Sequence, residues 1–273
     1  MDISNISLII FILTTMMYFS SVPIFGKPVL EMKADSTALD DQTLLDYYSS
    51  CKPKLAVYLL IIITTQFFIN ISYLINKCGG DFAKNIGSAA YYTFFPWFLI
   101  FGIMLAMLTA FPKLKSVFSD VVGYYFVSFE ANDLLGSILI DTNMKTAIDG
   151  AQDPEQKSQM MQAAETVLKI CGNKSLLINQ FYPDNFEKMW SLLTPLMKQE
   201  IVNNPGPTKK SLLELVVSKD NTGEAMWYIY TAILVTSISY YNLATMGCAR
   251  DAKTMKKNYD KYLEENAASN KQK

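Results

Sequence analysis

Polar and apolar positions along this chain segregate into blocks. Four runs, Ile6 to Phe25, Leu55 to Ile75, Ala90 to Phe111 and Ala225 to Met246, contain no Asp, Glu, Lys or Arg. A bilayer's hydrocarbon core is about 30 Å thick and an α-helix rises about 1.5 Å per residue, so roughly 20 uncharged residues are enough to cross it. The pattern predicts an all-α polytopic membrane protein with four transmembrane helices. Three spans with short loops make up residues 1–111, a helical extra-membrane domain fills 112–224, a fourth transmembrane helix occupies 225–248, and a charged tail closes the chain at 249–273. The first run is expected to be a retained span rather than a cleaved signal, because Met1-Asp2-Ile3-Ser4-Asn5 lacks the basic start of a signal peptide. Pro23 marks its end.

With four crossings, the N-terminus, the loop from Asn76 to Ala89 and the tail share one side. Lys77, Lys84, Arg250, Lys253, Lys256, Lys257 and Lys261 flank the spans there. The opposite loop sets Lys27, Lys33, Lys52 and Lys54 against Glu31, Asp35, Asp40, Asp41 and Asp46. This imbalance favours the tail side as cytoplasmic, while Lys113, Lys115 and Lys219 beside the large domain pull the other way. Aromatic residues crowd the span mouths. Tyr91, Tyr92, Phe94, Phe95 and Trp97 open the third run, and Trp227, Tyr228 and Tyr230 the fourth, as expected of headgroup-level belts. Gln66, Asn70 and Ser72 in the second span and Thr231, Thr236, Ser237, Ser239 and Asn242 in the fourth are expected to face other helices, since a lone polar group in lipid is costly.

The 112–224 domain reads as helical, with no sheet. Asp153-Pro154-Glu155 is a helix start, and the apolar spacing through Met160, Met161, Ala164, Val167 and Leu168 stops at Cys171-Gly172. A second helix is predicted from Asp184 to Val202, bent or broken at Pro195. Asn203-Asn204-Pro205-Gly206-Pro207 predicts a rigid turn, followed by a helix over Lys209 to Ser218 and a connection through Asp220-Asn221-Thr222-Gly223 into the fourth span. Phe118 to Phe129 suits either the bilayer interface or the domain core. Asp40, Asp41 and Asp46 have the look of a solvated helix start.

Composition narrows the chemistry. The net charge of -1 gives no electrostatic hold on nucleic acid, so no nucleic-acid partner is expected. Among 24 basic residues Arg250 is the one arginine, which leaves little bidentate recognition of phosphate or carboxylate. The chain has no histidine, hence no Ser-His or Cys-His nucleophile and none of the commonest metal ligands. No phosphate loop, Cys-x-x-Cys or paired-carboxylate motif stands out. The expectation is therefore a protein that is not an enzyme, with no catalytic residues, no cofactor, no metal and no small-molecule substrate. On the four-span topology, Cys51 with Cys171 and Cys78 with Cys248 are the disulfide pairings left open, and free thiols are the default where nothing fixes an oxidising compartment. Asn173-Lys174-Ser175 fits a glycosylation acceptor, a tripeptide common by chance.

Short blocks carry a resemblance. Phe95-Pro96-Trp97-Phe98-Leu99-Ile100-Phe101-Gly102, then Ala110-Phe111-Pro112, Phe118-Ser119-Asp120 and Gly123-Tyr124, resemble a pattern in membrane proteins of nucleocytoplasmic large DNA viruses of the phycodnavirus and mimivirus kind. Lys219-Asp220-Asn221-Thr222-Gly223-Glu224 with Trp227, Ile233 to Tyr240 and Gly247-Cys248 is similar, as are Ile178-Asn179-Gln180-Phe181, Asn185-Phe186 and Trp190. The likeness covers about residues 90 to 248. It departs where a Gly-Trp is expected after the Phe-Pro and Lys113-Leu114 stands instead. The resemblance implies a minor capsid or virion protein held in the internal viral membrane, derived from host endomembrane, whose ectodomain meets capsid or other minor virion proteins. Phe181, Tyr182 and Trp190 are the expected partner contacts, because aromatic anchors dominate interfaces; a core position for Trp190 suits it equally. The alternative function is a channel, holin-like or membrane-remodelling protein.

Overall fold

The computed structural model describes residues 3–32, 38–79, 82–139, 173–248, 256 and 259–263. Helix dominates them, and no strand forms among the described residues; the bridge between Leu139 and Met197 is isolated. The predicted helix from Asp153 to Cys171 and most of the tail lie outside the described residues.

Helix α1 runs Ile3–Phe19, α2 Asp41–Cys78 and α3 Phe82–Ala110. After short turns over residues 112–123 come α4, Tyr124–Ile138; α5, Lys174–Ile178; α6, Phe186–Leu193; α7, Gln199–Asn203; and α8, Gly206–Thr245. Local chemistry sets the ends. The Asp40 side chain accepts from Thr43 N at 2.7 Å to cap α2, with Asp41 in the first turn, as the acidic start predicted. Within α3 the backbone widens into a π-turn over Trp97–Gly102 directly after Pro96, whose ring supplies no N–H to the ladder.

Four helical segments pack side by side. The lower part of α8 runs parallel to α2, and α1 and α3 run against it. Ser7 Oγ donates to Gln66 Oε1, Thr15 and Tyr58 hydroxyls meet at 2.7 Å, and Asn70 Nδ2 donates to Thr93 Oγ1 at 2.8 Å, so Gln66 and Asn70 face neighbouring helices as expected. Phe11, Tyr58, Trp97, Phe101, Tyr228 and Ala232 fill the centre. Trp97 and Tyr228 therefore belong to the bundle core rather than to an aromatic belt; Tyr91, Phe94, Phe95 and Tyr230 do point outward.

Among the described residues two helices, not four, are long and apolar enough to cross a membrane: α2, of 38 residues, and α3, of 29. The other two expected spans fall short for different reasons. α1 has 17 residues, about 26 Å of rise. The lower part of α8 is long enough, but Thr231, Thr236, Ser237, Ser239 and Asn242 dilute its hydropathy.

The upper half of the molecule is not an insert between two spans. Its core joins Leu30, Leu39 and Tyr47, from the first connection and the start of α2, to Val127, Ala131 and Leu135 of α4 and Leu212, Leu213 and Val216 of α8. Both α2 and α8 continue unbroken from the bundle into this head. The sequence predicts a helix ending at Ser218 and a connection through Asp220-Asn221-Thr222-Gly223; α8 instead passes unbroken through all of them. The break at Pro195 is present, with α6 giving way to a 3-10 turn over Thr194–Leu196 and then α7. Phe118 to Phe129 divides, with Val127 in the head core and Val121, Tyr125, Phe126 and Phe129 exposed.

Candidate functional site

The level at which the head joins the bundle is the most densely charged place in the interior. Lys219, Asp220, Gly223 and Glu224 of α8 are all buried. Helical spacing divides them between adjoining faces: Asp220 and Glu224 are four apart on one, Lys219 and Gly223 four apart on the next.

The first face meets two lysines from distant parts of the chain. Glu224 Oε2 lies 2.8 Å from both Lys27 Nζ and Lys115 Nζ. Lys115 also pairs with Asp220 at 3.0 Å, and Lys27 donates to Asn221 Oδ1 at 2.6 Å. One turn further along α8, Tyr228 donates its hydroxyl to Glu224 Oε1 at 2.6 Å. Burial by itself would raise the Glu224 carboxyl, but Lys115 and Lys27 outweigh it and hold the group well below the usual carboxylate range. Burial likewise works against the Lys115 ammonium, yet Glu224 and Asp220 keep it above the ordinary lysine range.

The second face holds an independent pair. Lys219 Nζ donates to Asp120 Oδ1 at 2.8 Å and lies 4.7 Å from the centre of the Tyr182 ring, while the Tyr182 hydroxyl donates to Asp120 Oδ2 at 2.8 Å. Burial pulls the Lys219 ammonium below the ordinary lysine range, and Asp120 offsets that only in part. Burial first, then the hydrogen bond to Asp120, raises the Tyr182 phenol. These contacts depend on a close crossing of α8 with the turn at 119–123: a Cβ on Gly223 would fall 2.6 Å from Ser119 Cβ. Trp227 Nε1 donates to Leu114 O at 2.9 Å and closes the same crossing below.

Beside the first face lies a cavity of about 290 Å³ between the Tyr47–Leu55 stretch of α2 and the end of α3. Lys27, Lys52, Lys115, Glu224, Tyr18 and Tyr228 are among its walls. Held ionised, Glu224 has no proton to donate at neutral pH and serves as the shared acceptor for Lys27, Lys115 and Tyr228. Among the described residues, no group of three or more His, Cys, Asp or Glu is placed to hold a metal.

The structure redistributes the residues that the sequence singled out. Phe181, expected as a partner contact, is instead core, and Trp190 takes the core position that suited it equally; both pack with Phe186 in the head because α6 turns its Phe186, Trp190 and Leu193 stripe inward. Tyr182 is half-buried over Lys219. Cys78 and Cys248 form a disulfide with Cα atoms 5.3 Å apart, Cys51 is a free thiol in the cavity wall, and Cys171 lies outside the described residues. The sequence reading counts Lys27, Lys115 and Lys219 only as span-flanking charges and places Asp220 in a connection, without pairing any of them. Their signal was Asp220 and Glu224 at helical spacing directly before an uncharged run, with lysines just beyond the mouths of two others. Comparison with family models, curated proteins and solved structures finds no match for this chain.

Proposed function

We propose that this chain is a membrane-anchored structural protein that holds a helical head at a fixed height over a bilayer, with all four apolar segments lying in lipid. The observation that carries the reading is the ion-paired seam. Lys27, Lys115, Asp220 and Glu224 join the end of the first apolar run, the end of α3 and the middle of α8 into one buried cluster, so head and bundle have no hinge between them. A spacer or anchor needs that rigidity. Outward-facing Leu13, Leu60, Phe95, Phe98, Leu234 and Tyr241 give the bundle an apolar exterior on all four segments, which suits lipid as the surrounding solvent and admits the shorter α1 beside α2 and α3.

On the likeness of its short blocks, the membrane is the internal membrane of a large DNA virus particle, and the partner is capsid or another minor virion protein; no catalytic step is assigned. With Phe181 and Trp190 in the core, the aromatic groups available on the head are Tyr125, Phe126 and Phe129, at 76%, 70% and 78% exposure. The channel reading is weaker. Apart from Trp97 Nε1 and Ser239 Oγ, buried side-chain polar atoms among the described residues have hydrogen-bond partners, which argues for packing over a wetted path.

The test is cross-linking mass spectrometry on intact particles and membranes, after alkaline carbonate has separated peripheral from integral protein. Expected are retention in the membrane pellet and cross-links from the head to a capsid or minor virion protein, reduced by Phe126→Ser with Phe129→Ser. Release into the carbonate supernatant would remove the anchor reading. Ion conductance in planar bilayers that is lost in Asn70→Leu or Asn242→Leu would favour the channel.

A further inference from the structure

The cavity at the seam has the position, shape and charge of a lipid-headgroup site. The head-side ends of the four uncharged runs are Phe25, Leu55, Phe111 and Ala225. Each lies within a few residues of a cavity wall: Lys27, Leu55, Pro112 and Glu224. Four chain segments thus place this opening at one level, where hydrocarbon gives way to headgroups. The walls grade accordingly. Leu55 and Leu108 line the bundle side; Lys27, Lys52 and Lys115 line the head side. At about 290 Å³ the space falls at the lower edge of ligand pockets, fit for a headgroup with its chains left outside.

Charge selects the occupant. Three lysines face one lining carboxylate, Glu224, and Asp220 stands behind Lys115, so the site keeps a surplus of one positive charge. Lys27 and Lys115 are fixed by their ion pairs, whereas Lys52 is exposed at the rim and free to swing toward an incoming anion. Basic pockets between membrane helices are the established physical setting for anionic headgroups.

We propose that this cavity binds the phosphate headgroup of an anionic phospholipid, entering between α2 and the end of α3. The inference rests on the membrane placement of the bundle proposed above. The experiment is native mass spectrometry of the full chain released from nanodiscs of phosphatidylcholine mixed with phosphatidylglycerol, with thermal melting in each lipid alone. Expected is a preference of about fivefold for phosphatidylglycerol, the effect of one surplus lysine at an anionic surface, together with a higher melting midpoint in it. Lys52→Glu should abolish the preference without altering the fold, and Thr109→Trp, at the mouth, should exclude the lipid altogether.

Equal retention of the two lipids by the wild type, or an undiminished preference in both variants, would overturn the proposal. A chain that stays in the carbonate pellet yet shows no preference separates this failure from failure of the anchor reading. Inorganic phosphate added in detergent distinguishes the source: melting protection equal to that given by phosphatidylglycerol would make the ligand a soluble phosphate and refute the lipid.

Discussion

Gly123 packs against the backbone of Lys219 so closely that a Cβ there would come within 2.4 Å of the Lys219 carbonyl oxygen. The obstacle is helix backbone, which cannot swing aside. Gly123→Ala is expected to push α4 and the turn before it away from α8 and lower stability by about 1–3 kcal/mol, the usual cost of overpacking. Gly87, with nothing within 4 Å of its added Cβ, is the control, since Gly87→Ala should hold or raise the melting midpoint. Thermal melting in detergent reads both.

Removing Glu224 strands two cations. Glu224→Ala leaves Lys27 and Lys115 buried with one partner fewer each, and the expected loss is about 3–5 kcal/mol, typical of breaking a buried pair. Lys54→Ala removes contacts to the carbonyls of Pro23 and Ile24 at the exposed edge of the same level and should cost less than about 1.5 kcal/mol. Chemical denaturation of the two variants in one micelle system measures the difference, and equal losses would show that the seam is not where the cohesion lies.

The same cluster sets the pH profile. The Glu224 carboxyl is depressed in the fold, so its contribution is present above the unfolded carboxylate value, about 4.3, and is lost as pH falls below it. Lys115 is raised, so its contribution is present below the unfolded lysine value, about 10.4, and fades as pH climbs through the folded one. Lys219 has the opposite sign: its lowered value is a penalty in the charged state, relieved as pH rises toward 10.4. The melting midpoint should therefore fall away below about pH 4, and that acid limb should flatten in Glu224→Gln.

How much of this was legible in the sequence depends on the range of the interactions. The uncharged runs are a local signal and each lies largely in helix, the first only as far as Phe19. The caps at Asp40 and the break at Pro195 are local too. The passage of α8 through Lys219 to Glu224 was not legible, because Asp-Asn-Thr-Gly is turn chemistry when its charges are solvated. It becomes helix only when Lys27, Lys115 and Asp120, each about a hundred residues or more away, neutralise it. The head core was misjudged for the same reason: Leu30, Leu39 and Tyr47 sit in what looks like a short connecting loop, and nothing nearby marks them as partners of α8. Phe181 and Trp190 carry an aromatic signature that is identical for an interface and a core, and burial decided it.

Sidedness gives the last prediction. Lys77 donates to the carbonyls of Leu243, Ala244 and Met246 at the end of α8, and the Cys78–Cys248 bond ties the same two helix ends together. Lysine counting assigned this side to the cytoplasm, but Lys77 is engaged in capping, and a persistent disulfide belongs to an oxidising compartment. At the other end Asn173 Oδ1 accepts from Ser175 Oγ at 2.6 Å and from Leu176 N at 3.4 Å, so the side chain that glycosylation would need already caps α5. The expected orientation is head to the cytosol and tail to the lumen. An acceptor Asn-x-Ser built into the tail should gain a glycan on expression in endomembranes, Asn173 should gain none, and non-reducing mass spectrometry should recover Cys78 joined to Cys248. A glycan on Asn173 with both thiols free would reverse the assignment and return the tail to the side that its lysines suggest.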